Sequence, residues 1–184
     1  MDGAMTTFIY SAAASADGYI AGPGGDMQWL RAFMGGDPDP LLEKMIPQVT
    51  ALLIGRTTFD GDDPNAGDSK KEGAFEGRWE GPQIVLTHRP AEGAAEGFTF
   101  THSLEEAIET ARQAAGTDGM VHVLGADVAR QCLEAGVLDE VLLATVPIFL
   151  GGGTPALRGA KRSFPLEVVT RSPNGSTCHY RVLR

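Results

Sequence analysis

The chain has 184 residues, 42% apolar and 21% charged, with a formal net charge of -9. That length suits one well-cored domain, expected to span residues 1–184. The acidic balance excludes a general nucleic-acid or anionic-membrane binder, since both need a basic face.

No apolar run is long enough to span a bilayer, and the amino-terminal stretch lacks the cationic flank of a signal peptide. Cys132 and Cys178 then read as reduced thiols of a cytoplasmic protein. The four histidines show no close ligand spacing, so no metal site is expected.

In chain order, TTFIYSAAA is a candidate strand followed by the turn-rich SADGYIAGPGGD. DPDPLLEKMIPQV carries acids and Pro40 where a helix begins, with apolar residues at helical spacing behind them. ALLIG and IVLT are short apolar runs that fit strands covered on both faces. The polar, glycine-rich segment between them is too long for a plain turn and reads as a flap over residues 61–82. A short FTF segment precedes the helix SLEEAIETARQAAG, which opens on a Ser103–Glu106 capping box. VHVLG is the next strand, ADVARQCLEAG a helix, and DEVLLATVPIFL a long strand. The final residues form two strands around Asn174–Gly175, a hairpin signal. Alternating strands and helices with a terminal hairpin predict an α/β fold: a mostly parallel central sheet, helices on both faces and an antiparallel carboxy-terminal hairpin.

Ligands of such sheets bind beyond the carboxyl ends of the strands. Three ends carry suggestive residues: Gly55-Arg56-Thr57-Thr58, Thr87-His88-Arg89-Pro90 and Leu124-Gly125-Ala126-Asp127. Guanidiniums and hydroxyls suit a phosphate monoester, and a glycine opening a helix lets backbone N–H groups approach a pyrophosphate. Neither G-x-G-x-x-G nor G-x-x-x-x-G-K-[ST] occurs in the required context, so spacing alone does not establish a dinucleotide site.

SADGYIAG, ALLIGRTTF, IVLTHRP, VLGADVARQCLEAGVLDEVLL and VPIFLGGGTPAL occur in the order found in the dihydrofolate-reductase-like superfamily. The chain most resembles its branch containing the reductase domain of the bifunctional riboflavin-biosynthesis deaminase-reductase. That resemblance implies an NADPH-dependent reductase. Arg56, Thr87, His88 and Arg89 would then surround the adenosine 2′-phosphate. Gly55, Thr57 and Thr58 would face the pyrophosphate from one side, and Gly125, Ala126, Asp127 and Val128 from the other. Ala13 and Ile20 would meet the nicotinamide carboxamide. Asp127 is expected to cap its helix, and Leu124–Gly125 to form the cis peptide of the superfamily's Gly-Gly position.

On the substrate side, Asp39 falls where dihydrofolate reductases place their pterin-binding carboxylate, although Asp37 and Asp39 beside Pro38 and Pro40 are helix-start residues that need no other role, and capping is the preferred reading. Trp29 resembles the tryptophan of the loop that closes over the nicotinamide, or is a core residue. Phe75 and Trp79 cover a ligand or anchor the flap. The resemblance implies hydride transfer to a small-molecule substrate, of the 5-amino-6-(5-phosphoribosylamino)uracil type. A dihydrofolate reductase proper and a non-catalytic NADPH-binding homologue are the alternatives. The two apolar faces of VPIFL, with the habit of the branch, point to a homodimer.

Overall fold

The computed structural model describes residues 5–61, 63–89 and 97–184. Ten strands run in the order β1 (Thr7–Ser15), β2 (Tyr19–Ala21), β3 (Val49–Gly55), β4 (Gln83–Leu86), β5 (Phe98–Thr101), β6 (Met120–Leu124), β7 (Glu140–Val146), β8 (Thr154–Pro155), β9 (Leu166–Arg171) and β10 (Thr177–Val182). Among them lie α1 (Pro40–Met45), α2 (Arg56–Phe59), α3 (Ala74–Gly77), α4 (Leu104–Ala115) and α5 (Ala126–Glu134).

Eight strands form one sheet ordered β5-β4-β3-β6-β1-β7-β10-β9, and β2 pairs with β8 apart from it. Neighbours from β5 to β7 are all parallel, while β10 runs antiparallel to both β7 and β9. The middle strands read as apolar runs because both their faces are covered. Phe8, Tyr10, Leu53, Val121 and Val123 bury one face under Ala107, Ile108 and Ala111 of α4 and Val128, Ala129 and Cys132 of α5. Ile9, Leu52, Ile54, Val85 and Leu142 bury the other under Met45 and Ile46, with Phe75 and Trp79 of the flap packed alongside. Each fully buried large side chain stabilises the fold by about 1.5–3 kcal/mol.

Local chemistry sets the boundaries. Ser103 Oγ accepts from Glu106 N–H at 3.1 Å and caps α4, while Glu106 accepts from the N–H of His102, the residue before the cap, at 3.0 Å, a shifted form of the capping box. The expected helix over DPDPLLEKMIPQV stops at Met45 and tightens into a 3-10 turn, Ile46–Gln48, because Pro47 has no N–H to continue the ladder.

The long strand expected over DEVLLATVPIFL ends at Val146, one residue before Pro147. Ile148 N–H turns back onto the Val146 carbonyl at 2.8 Å, so the apolar alternation of VPIFL is not that of a strand. Phe149 is left 78% exposed.

The flap is held by its aromatic residues. Trp79 donates its indole N–H to the Val49 carbonyl at 2.9 Å, and the Phe75 ring lies 4.9 Å from the His122 ring. Phe75 and Glu76 both take positive φ, 53° and 59°, so α3 is a left-handed turn of non-glycine residues. Such geometry persists only where surrounding packing enforces it.

Candidate active site

The register of the sheet brings three strand ends together. Gly55 of β3 lies beside Leu86 of β4, and Ile54 beside Leu124 of β6. Their following segments therefore share one edge of the sheet, the region where open α/β sheets bind ligands.

At the β3 and β4 ends the basic groups converge on a residue that strand-end motifs did not flag. Arg56 Nε donates to Asp60 Oδ2 at 2.7 Å, and Arg89 Nη2 donates to the same oxygen at 3.0 Å. The hydrogen bond from Arg56, reinforced by the charges of Arg56 and Arg89, holds the Asp60 carboxyl below its ordinary range. The Arg56 guanidinium lies over the Phe59 ring at 5.6 Å, and its Nη1 is buried without a hydrogen-bond partner among the described residues. A buried, unpaired guanidinium nitrogen is costly unless a ligand completes it.

The buried Thr87 hydroxyl accepts from Arg89 N–H at 3.1 Å and so fixes the turn that carries Arg89. His102 Nδ1 lies 3.1 Å from the Thr87 carbonyl and supports that turn. His88 is exposed, and Pro90 lies outside the described residues.

At the β6 end, Gly125 starts α5 with φ 110° and a trans peptide bond to Leu124, since no cis bond occurs among the described residues. The expected cis bond is thus corrected. A Cβ at Gly125 would stand 2.5 Å from Thr58 Oγ1, and one at Gly55 would stand 3.4 Å from Val128 Cγ1. Gly125 alone of the two needs to be glycine for this approach, since 3.4 Å at Gly55 is ordinary contact; Thr58 and the first turn of α5 face each other across a narrow crevice. The first-turn N–H groups of Ala126, Asp127 and Val128 have no intrahelical acceptors.

Asp127 is not the cap, because no side chain caps α5. Its carboxylate instead accepts from Arg130 Nη2 at 2.9 Å and Gln131 Nε2 at 2.8 Å. Burial raises its pKa, but the bonds from Arg130 and Gln131 outweigh that and leave it lowered. The neighbouring Arg130 offsets the charge that would repel an anion here.

Beyond the crevice, Ala13 of β1, Ala144 of β7 and Thr177 of β10 form one row across the sheet. Ala13 and Thr177 are two strands apart, about 10 Å. Thr177 Oγ1 donates to Asp39 Oδ2 at 2.5 Å, while Asp39 Oδ1 accepts from Leu41 N–H at 2.9 Å and Leu42 N–H at 3.3 Å. One oxygen of Asp39 thus caps α1, and the other is held towards the sheet by Thr177. Ala13 and Ala144 stay partly accessible in mid-sheet.

Ile20 lies on β2, in a loop tied down by Asp17. Asp17 accepts from Ser15 Oγ at 2.6 Å, Leu150 N–H at 3.0 Å and Gly151 N–H at 2.7 Å. A Cβ on Gly153 would meet the Ala21 carbonyl at 2.0 Å, so the LGGG segment must be glycine there to lie against β2. Trp29 is half-buried in the 3-10 segment Gln28–Phe33, and its indole N–H has no partner among the described residues.

Trp79 belongs elsewhere. Its hydrogen bond to Val49 sets it at the amino end of β3, opposite the crevice, as an anchor of the flap. Beneath the site, His122 Nε2 lies 2.6 Å from Ser11 Oγ, and burial lowers the pKa of His122 to about 3. Among the described residues no group of three or more His, Cys, Asp or Glu side chains could hold a metal ion. The donor set at the strand ends suits a phosphate monoester beside a pyrophosphate.

The fold is that of the dihydrofolate-reductase-like proteins. A dihydrofolate reductase from Enterococcus faecalis, solved with NADP(H) and RAB-propyl, superposes with a TM-score of 0.54 at 20% identity over 96% of this chain and 94% of its own. Residues 6–172 match the RibD C-terminal domain, and the chain belongs to that family. A putative riboflavin biosynthesis protein from Shewanella sp. PV-4 is similar with a TM-score of 0.76, at 22% identity, over 97% of this chain and all of the other. The diaminohydroxyphosphoribosylaminopyrimidine deaminase/5-amino-6-(5-phosphoribosylamino)uracil reductase of Thermotoga maritima gives 0.66 at 17% identity. This chain is covered to 97% in that match and spans 57% of the bifunctional protein. In sequence, the uncharacterized protein YyaP of Bacillus subtilis (strain 168) is 24% identical over 173 residues, covering 88% of this chain and 85% of the relative. Two of these structural neighbours are named as reductases, the Thermotoga maritima protein as a deaminase/reductase.

Proposed function

We propose that the protein is an NADPH-dependent reductase of the riboflavin-biosynthesis type. The observation that carries this reading is the Arg56–Arg89 pair, with a buried and unpartnered Arg56 Nη1, beside the crevice between Thr58 and Gly125. Arg56 and Arg89 hold the 2′-phosphate. The Thr57–Thr58 segment and the N–H groups of Ala126 to Val128 receive the pyrophosphate, and the backbone at Ala13 and Ile20 orients the carboxamide. The bound nicotinamide supplies a hydride.

The substrate lies over Ala144, between Ala13 and Asp39. Asp39 binds its polar edge and is the candidate proton source at Oδ2, where Thr177 fixes its orientation. Trp29 closes the loop side and helps exclude water. The substrate class is a small heterocycle bearing a sugar phosphate, with 5-amino-6-(5-phosphoribosylamino)uracil as the type compound. The protein acts in the cytoplasm as a homodimer, a reading supported by Leu166, Val168 and Val169, which stand 42–45% exposed on the outermost strand.

The test follows NADPH consumption with that uracil derivative and, separately, with dihydrofolate. Turnover of the first alone supports the proposal. Turnover of dihydrofolate alone would reassign the substrate, and NADPH binding without turnover of either would leave a binding protein.

A further inference from the structure

Asp60 follows α2, and among the described residues its side chain makes two hydrogen bonds, both from guanidiniums and both to Oδ2. Its backbone N–H closes α2 as the C-cap residue, but its carboxylate takes no part in that cap and contributes nothing to the apolar core. The two arginines arrive from different strand ends, and like charges held side by side repel. A single carboxylate oxygen between them supplies the cohesion. Arg56 spends its Nε on that contact and keeps Nη1 buried and free. Arg89 is 67% exposed, and its side chain has no partner other than Asp60 among the described residues. Without Asp60, Arg89 has every reason to extend into solvent.

We propose that Asp60 is a positioning residue that holds Arg56 and Arg89 as one fork for a phosphomonoester. It thereby sets the preference for a 2′-phosphorylated dinucleotide over an unphosphorylated one. This rests on the cofactor reading above.

Two effects of Asp60 oppose each other. Its negative charge repels the phosphate, whereas its two bonds keep both guanidiniums in place and remove the cost of ordering them on binding. The repulsion acts at a solvent-accessible rim, where water and salt screen it strongly. Two arginines and one carboxylate still leave the fork net positive. Positioning therefore dominates, and removal of the carboxylate weakens phosphate binding.

The experiment measures NADPH, NADH and 2′,5′-ADP binding by calorimetry to the full chain, its Asp60→Ala and Asp60→Asn variants, and Asp60→Ala in an Arg89→Ala background. Thermal melts accompany each variant to establish folding. Asp60→Ala is expected to weaken NADPH and 2′,5′-ADP about tenfold with less than about twofold change for NADH. Asp60→Asn retains an acceptor oxygen and loses less. In the Arg89→Ala background the effect of Asp60→Ala shrinks, because the fork is already broken.

Tighter NADPH binding by Asp60→Ala would mean that repulsion governs, and the proposal fails. Equal weakening of NADPH and NADH, or no change in either, overturns it as well. Failure of the parent chain to bind NADPH is a separate result that removes the cofactor reading itself.

Discussion

His122 is fully buried on β6, its Nδ1 has no partner among the described residues, and burial lowers its pKa from 6.5 to about 3. The neutral ring is the form the fold accepts. Because its folded pKa is lower than its unfolded one, its neutral state supports the fold fully above pH 6.5. That support is lost progressively as pH falls from there toward about 3. Unfolding in urea at a series of pH values should show stability falling across this window by several kcal/mol, on the order of 1.4 per pKa unit. His122→Leu should flatten the slope, and a parallel slope in the variant would assign the acid sensitivity elsewhere.

Gly125 gives a second prediction at this scale. Alanine there meets Thr58 Oγ1 and must also adopt φ 110°. The expected cost is about 2–3 kcal/mol in a chemical melt, with NADPH binding lost alongside. An unchanged midpoint would mean that the crevice opens freely.

Among elements, the segment from Ser15 to Ala21 and the segment from Ile148 to Pro155 form a single latch. Asp17 accepts from Leu150 and Gly151, β2 pairs with β8, and Ala16 N–H reaches the Ile148 carbonyl at 2.8 Å. The hydrogen bond from Ser15, then those from Leu150 and Gly151, lowers the Asp17 pKa. The latch therefore holds above the unfolded value near pH 4 and releases as pH falls through the lower folded value. Hydrogen exchange should show the Leu150 and Gly151 amides protected in the parent and unprotected in Asp17→Ala. Equal protection in both would show that β2 and β8 hold the loop unaided.

This latch also marks what local patterns can and cannot reveal. Strands, the Ser103 capping box and the Asn174–Gly175 hairpin are written in neighbouring residues and are legible there. Asp17 meets residues more than a hundred positions away, and nothing near SADG specifies that partner. Pro147, by contrast, gave a local signal: it removes a backbone donor and ends β7 one residue earlier. Asp60 follows Arg56 by four positions, a helical ion-pair spacing, yet its bridge to Arg89 exists only in the folded sheet.

For the whole molecule, the sheet sets one chemical edge and one physical edge. The chemical edge is the line of carboxyl ends at β3, β4 and β6, whose gathering follows from alternating strands and helices and was foreseeable. Trp79 shows the limit of that foresight, since an aromatic residue in a polar flap gives no sign of which end of the sheet it will reach. The physical edge is β9, where Leu166, Val168 and Val169 lie exposed. A register shift beside Val169 disrupts its pairing with β10, and such bulges blunt strand-to-strand association. The proposed dimer therefore covers the exposed apolar side chains face-on and does not extend the sheet. Light scattering should report twice the chain mass, with Val168→Asp shifting it to a monomer. A parent chain that scatters as a monomer would remove the dimer.

The measurement that most directly tests the account is calorimetric titration of the chain with NADPH and NADH, repeated with Arg56→Ala. The account predicts NADPH binding that weakens about a hundredfold with NADH and by a similar factor in the variant, as expected for loss of a buried charge-assisted contact. Equal affinity for the two nucleotides, unaffected by Arg56→Ala, would contradict the phosphate fork, and absence of binding to either would contradict the reductase.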